Sequence, residues 1–203
     1  MWFVALLSQR VQAERSQMGT ISDASVSEYQ RLDALFRSWR PSPELVSKFS
    51  NHCKAAELYR LAGIIYLHRI IHPFTDTTTD DVIQEVLDQV FAVLVPVTQS
   101  SETPSVLCWA FVFIGPCVTD DHRRELLMKY LHSVYDASRM VNTGQTIRLL
   151  AKLWWVKDYE EDEYDDPIKA GSEGEERHGG RSRCSWDFHY VMRALRRWNT
   201  LIS

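Results

Sequence analysis

The stretch V-L-C-W-A-F-V-F-I, Val106 to Ile114, closed by Gly115-Pro116, decides how this chain is read. Every residue in it is apolar, so neither a two-residue nor a 3.6-residue period can be extracted. Its Val, Phe and Ile content would suit a buried strand as well as a buried helix. The flanks select the helix. Thr103 can act as N-cap, Pro104 suits the first helical position, where its missing N–H costs nothing, and Gly115-Pro116 stops the element. A helix apolar on all sides must be surrounded by protein or lipid. A membrane span needs roughly 20 apolar residues, and this run falls far short. It predicts the central helix of a soluble all-α domain, with Trp109 and Phe113 buried.

Upstream, L-Y-R-L-A-G-I-I-Y-L-H-R-I-I, Leu58 to Ile71, is apolar nearly all round and must be central too, ending at His72-Pro73. The helix containing it is expected to begin earlier, with Ser42 as cap, Pro43 at the first position and Leu45, Phe49, Cys53 and Ala56 on one face. Before it, Ser25 and Glu28 have capping-box spacing, and Tyr29, Leu32, Leu35, Phe36 and Trp39 predict a single buried stripe. Residues 1–24 form an N-terminal segment whose abrupt apolar start suggests a helix with its partner further upstream. Thr79 is the expected cap of the next helix, with Asp80 and Asp81 favourable to its dipole and Ile83, Val86, Val90, Leu94 and Val97 facing inward.

Downstream, Thr119 with Asp120 and Asp121 opens a helix bearing Leu127, Leu131 and Tyr135. Asn142 or Thr143 opens another, with Ile147, Leu150, Ala151 and Trp154 at i, i+3, i+4 and i+7. The composition then changes. D-Y-E-E-D-E-Y-D-D, Asp158 to Asp166, and the Gly-, Glu- and Arg-rich run after it bury too little apolar surface to offset their ordering entropy. They predict a disordered acidic insertion at about 159–184. Trp186 to Ile202 resumes an amphipathic helix with Phe188, Val191, Leu195 and Trp198 along one stripe. The expected fold is one multi-helix domain of antiparallel helices over residues 25–203.

Composition excludes several classes of function. The 203 residues are 45% hydrophobic and 25% charged with a net charge of −4, which gives no overall attraction to nucleic acid or anionic lipid. Cys53, Cys108, Cys117 and Cys184 contain no C-x-x-C pair, so neither a conventional zinc finger nor a disulfide framework is expected, and the thiols should be reduced and intracellular. Asp80, Asp81 and Glu85 spell D-D-x-x-x-E, but no second acidic motif completes a Mg²⁺ site. His68 and His72 stand one turn apart without the Glu of a metalloprotease helix. No catalytic, metal or cofactor residue is assigned. Arg193, Arg196 and Arg197, with Arg181 and Arg183, form the one basic cluster, sufficient for weak, salt-sensitive, sequence-blind phosphate contacts.

Three segments carry a family resemblance. A-A-E-L-Y-R-L-A-G-I-I-Y-L-H-R (Ala55–Arg69) resembles the "LYR…LHR" helix of the fungal-specific transcription factor domain, the regulatory half of fungal zinc binuclear cluster regulators. W-A-F-V-F-I-G-P-C-V-T-D-D-H-R-R (Trp109–Arg124) is similar to its "W-P-l-f-i-A-G-c-e" stretch and the Arg beyond it. Trp109, Gly115 and either Arg123 or Arg124 match, while Ala110, Ile114 and Pro116 replace the usual Pro, Ala and Cys. L-L-A-K-L-W-W-V-K-D (Leu149–Asp158) resembles the "ll…vW…D" helix, and Ser185-Trp186 with Met192 the closing segment. The order and spacing agree over roughly Ser25–Ser203. The family's six-cysteine cluster is absent from this sequence, which therefore resembles the C-terminal half of such a regulator.

The resemblance implies a non-catalytic, nuclear, transcription-regulatory domain that responds to protein partners or a small hydrophobic ligand, with no specific DNA binding of its own and no membrane contact. A helical scaffold or adaptor, or an all-α enzyme, would be the alternatives. The resemblance also implies a structural role for Gly115, either close helix approach or a C-cap. Arg123, near a helix start, should meet an acid across the core.

Overall fold

A computed structural model describes residues 2–72, 80–98 and 107–164. Among them every regular element is helical: α1 (Trp2–Met18), α2 (Asp23–Ser38), α3 (Pro43–Lys48), α4 (Ser50–Ile71), α5 (Asp81–Thr98), α6 (Cys108–Ile114), α7 (Asp121–Ser138) and α8 (Val141–Tyr164). A 3-10 turn, Gly115–Cys117, extends α6. The all-α expectation holds.

The hub is α4. Its apolar run is buried on every side, with Leu58, Leu61, Ala62 and Leu67 shut off from solvent, because α1, α2, α5 and α6 all pack on it. Each buried Leu or Ile contributes about 1.5–3 kcal/mol of transfer free energy. On the α2 side, Gly63 admits Phe36 so closely that a Cβ there would lie 2.7 Å from the ring. At its far end Arg15 of α1 donates to the Ile71 carbonyl at 2.8 Å. On the α6 side Phe113 stacks on Tyr66 with ring centroids 4.7 Å apart. The helix ends at His72, whose N–H reaches the His68 carbonyl, where Pro73 was expected to stop it.

Local signals explain most boundaries. Ser42 caps α3, accepting from the Leu45 N–H, and Pro43 takes the first position as expected. The inner face of α5, Ile83, Val86, Val90 and Leu94, is buried, as are Leu127 and Leu131 of α7. Neighbouring caps replace three of the expected ones. Ser22, not Ser25, caps α2. Ser25 lies in the first turn, fully buried, donating to Glu14 of α1 at 2.9 Å. The same carboxylate also accepts from the Ser22 N–H and hydroxyl, so it fixes the α1–α2 turn. Asp80 rather than Thr79 caps α5, accepting from the Ile83 N–H at 3.1 Å. Asp120 rather than Thr119 caps α7, accepting from the Arg123 N–H at 2.8 Å.

The larger corrections concern burial. The central position belongs to α4; of the expected stretch, Cys108–Ile114 forms α6, seven residues long, which packs between α4 and α8. Phe111 and Phe113 are buried, but Trp109 is 41% exposed, lying over Tyr59. An unbroken apolar run has no polar face to mark its outward side, and Trp109 occupies that side. The α2 stripe is also incomplete, since only Leu32 is fully buried while Leu35 and Trp39 are exposed. The chain breaks at Phe49 (φ −136°, ψ 49°), separating α3 from α4 and leaving Leu45 and Phe49 exposed. In α8, Ala151 is exposed, and Leu149 and Leu153 join Ile147, Leu150 and Trp154 in the core.

Of the segment expected at 159–184, the residues to Tyr164 continue α8. The rest, together with the helix expected at Trp186–Ile202 and Arg193, Arg196 and Arg197, lies outside the described residues. Thr79, Thr103 and Pro104 also lie outside the described residues, as does the side chain of Val97. No described helix is long and apolar enough to cross a membrane.

Candidate functional site

Four residues of the motif segments, Gly115, Arg124, Trp154 and Asp158, meet at one place, whereas Trp109 lies over Tyr59. Gly115 follows α6, Arg124 lies in the first turn of α7, and Trp154 and Asp158 lie one turn apart on α8. Trp154 is 8% exposed, and its indole N–H donates to the Gly115 carbonyl at 3.0 Å. Arg124 spreads over the face of that indole, 5.5 Å from the ring centroid. Its Nε donates to the Val118 carbonyl at 3.2 Å, and Nη1 donates to both Asp158 oxygens at 3.0 Å. The Arg124 side chain is 11% exposed while Asp158 is half exposed, so this pair is shielded on one side only. Hydrogen bonds to charged groups contribute about 1.5–3 kcal/mol each when well formed. Together they join the end of α6, the start of α7 and the last turns of α8.

Gly115 permits the contact. Its backbone is right-handed (φ −55°, ψ −44°), so it is not a left-handed cap. A Cβ there would run into the Leu150 methyls, which identifies close helix approach as its role. The sequence left Arg123 and Arg124 equivalent; the structure separates them. Arg124 faces α8, whereas Arg123 pairs with Asp88 of α5 and covers the Phe91 ring. Arg123 does meet an acid, but at the surface rather than across the core.

A second polar site escaped the sequence reading. His68 Nε2 pairs with Asp80 Oδ2 at 2.8 Å, both side chains being buried. Asp80 therefore caps α5 with one oxygen and engages α4 with the other. Burial pushes its carboxyl up, but the bonds from His68 and the Ile83 N–H outweigh this and hold it below its ordinary value. His72 lies beside His68, ring centroids 4.7 Å apart, and takes the edge of Tyr29. Burial first, and the adjacent His68 second, hold His72 below the ordinary histidine value. The clue was available: a His inside a helix apolar nearly all round requires a hydrogen-bond partner.

Asp81 and Glu85 face solvent, so the D-D-x-x-x-E carboxylates diverge from Asp80. Among the described residues no group of three or more His, Cys, Asp or Glu is placed to hold a metal. Cys108 and Cys117 are buried and Cys53 half-buried, and the Cys108 sulfur lies 3.0 Å from the Thr143 hydroxyl.

The fungal specific transcription factor domain matches residues 4–203. The chain belongs to that family. No curated protein and no solved structure matches the chain.

Proposed function

We propose that the chain is the non-catalytic regulatory domain of a fungal zinc-cluster type transcription regulator. It works in the nucleus through protein partners, while a module outside these 203 residues contacts DNA. The observation that carries this reading is the family match over residues 4–203. The motif residues support it: Gly115, Arg124, Trp154 and Asp158 hold α6, α7 and α8 in register, a structural task that requires no reactive group. Direct readout of DNA requires an element in the major groove and a basic surface to position it. Four cysteines cannot rebuild a six-cysteine cluster, and the net charge is −4. A protein partner is favoured over a small hydrophobic ligand because large apolar side chains, Leu35, Trp39, Leu45, Val46 and Phe49 among them, lie exposed at the surface.

The same surface favours a second reading, an adaptor with no transcriptional role. Fusing the chain to a heterologous DNA-binding domain and measuring both reporter output and cellular location separates the two. The regulatory reading expects nuclear accumulation and a changed reporter level. An inert fusion outside the nucleus would favour the adaptor. Sequence-selective binding of the isolated chain to DNA at physiological salt, or stoichiometric zinc in the purified chain, would overturn the assignment of DNA contact to another module.

A further inference from the structure

The end of α4 and the start of α5 are joined by one cluster of ionisable side chains. His72 is the last residue of the α4 hydrogen-bond ladder, and Asp80 is the N-cap of α5. Between them the buried His68 Nε2 meets Asp80 Oδ2 at 2.8 Å, while Asp80 Oδ1 accepts from the Ile83 N–H at 3.1 Å. Asp80 is held as a carboxylate, so Nε2 is the donor in this pair. The His72 ring lies against His68 with centroids 4.7 Å apart, yet His72 itself is exposed, so solvent protons reach it.

Four helices bring charged or titratable groups to His72. Arg15 of α1 donates to the neighbouring Ile71 carbonyl at 2.8 Å. From α2, the Tyr29 ring stands perpendicular to that of His72, centroids 6.5 Å apart. Burial pushes the Tyr29 phenol up, so it stays neutral in acid, and Asp33 and Arg37, which also act on it, pair with each other. Within α4, His68 lies on one side, and Arg69 donates to the His72 carbonyl at 3.4 Å. From α5 comes Asp80. Two permanent cations thus face a single carboxylate, which is already engaged by His68 and the Ile83 N–H. A proton on His72 adds a third positive charge to this group. His68 is a poor alternative, because its Nδ1 is buried without a hydrogen-bond partner among the described residues. A proton placed there would create a buried, unsatisfied N–H.

We propose that His72 is the trigger of an acid-sensitive latch, in which a proton on its ring parts the last turn of α4 from the first turn of α5 while the rest of the hub stays closed. Like charges a few ångströms apart in a partly buried site repel strongly, and moving His72 into solvent relieves the repulsion. The middle of α4 has no such response, because Leu58, Leu61 and Ala62 are held by apolar contacts that a proton does not alter. The direction follows from linkage. Burial and the adjacent His68 hold the closed-state His72 below its ordinary value of 6.5, so the open state binds the proton more tightly. The latch is fully closed above about pH 6.5, and its opening then grows by up to about tenfold per pH unit for one proton. This gives the domain a response to proton concentration that does not depend on which partner it meets.

Hydrogen exchange of the full chain, followed by mass spectrometry from pH 7 to pH 5 and corrected for intrinsic exchange rates, tests the latch. Opening should rise at residues 66–72 and 81–86, while residues 58–64 and α6 keep their protection. His72→Gln, at an exposed helix end, should leave the fold intact and abolish the rise. The His72 ring proton resonance, assigned by its loss in that variant, should titrate with a midpoint below 6.5. An equal rise throughout the chain, no rise at the α4–α5 junction, or a rise that persists in His72→Gln would overturn the proposal. So would a His72 midpoint at or above 6.5, since protonation would then favour the closed form or leave it unaffected.

Discussion

Two regions of the chain carry apolar residues at helical intervals and end up in opposite situations. Leu58 to Ile71 is enclosed by α1, α2, α5 and α6, while Leu35 to Phe49 leaves five large hydrophobic side chains in solvent. Periodicity states which way a helix turns its apolar side; it does not state whether anything covers it. For α4 the cover lies within the chain. Around α3 it is absent among the described residues, and this difference separates the part of the molecule that holds the fold from a part that leaves apolar side chains exposed.

The largest expected effect lies in the hub. Leu61 is wholly buried, and Leu61→Ala should destabilise the domain by about 2–5 kcal/mol in denaturant titrations. A smaller loss would indicate that the hub repacks easily and would blur the contrast. Next is the Gly115 contact. Gly115→Val should cost about 1–3 kcal/mol by driving Leu150 out of place. Leu150→Ala in the same chain should recover part of that loss, so a double-mutant cycle reads the coupling directly. Simple additivity would show that Gly115 has another role.

Trp109→Ala sharpens the comparison within one helix. Truncating a fully buried aromatic costs about 3–5 kcal/mol. With Trp109 41% exposed and Phe113 buried, Trp109→Ala should cost less than Phe113→Ala. Equal losses would mean that Trp109 is covered in solution.

The His68–His72–Asp80 cluster predicts a pH dependence. His72 has a folded-state pKa below its ordinary value of 6.5, so the unfolded chain takes up this proton first. Its contribution to stability is full above about pH 6.5 and is lost as pH falls from there through the folded value. Melting temperature should drop on acidification from pH 7 to pH 5, and His72→Gln should flatten that slope. An unchanged slope would remove His72 from the account.

Much of the hub was legible from sequence because an apolar run and a His-Pro end specify α4 together, while the Ser-Pro start specifies the separate helix α3. The caps of α2, α5 and α7 were each displaced to a neighbouring polar residue. Several polar side chains near a helix start can cap, and tertiary partners such as Glu14 and His68 decide among them. Arg123 and Arg124 are identical neighbours about 100° apart on a helix, so only packing could show which of them reaches Asp158. The exposure of Trp109 and the break at Phe49 were illegible for one reason. Both depend on what is absent from the far side of an apolar residue.

The most direct measurement compares Phe49→Ala with Leu61→Ala by thermal unfolding of the full chain in one buffer. If the α3 end is a surface for a partner and α4 is the hub, Phe49→Ala should leave stability within about 0.5 kcal/mol of the parent, as surface substitutions do, while Leu61→Ala lowers the melting temperature by many degrees. A comparable fall in both would contradict the account, because Phe49 would then belong to the core.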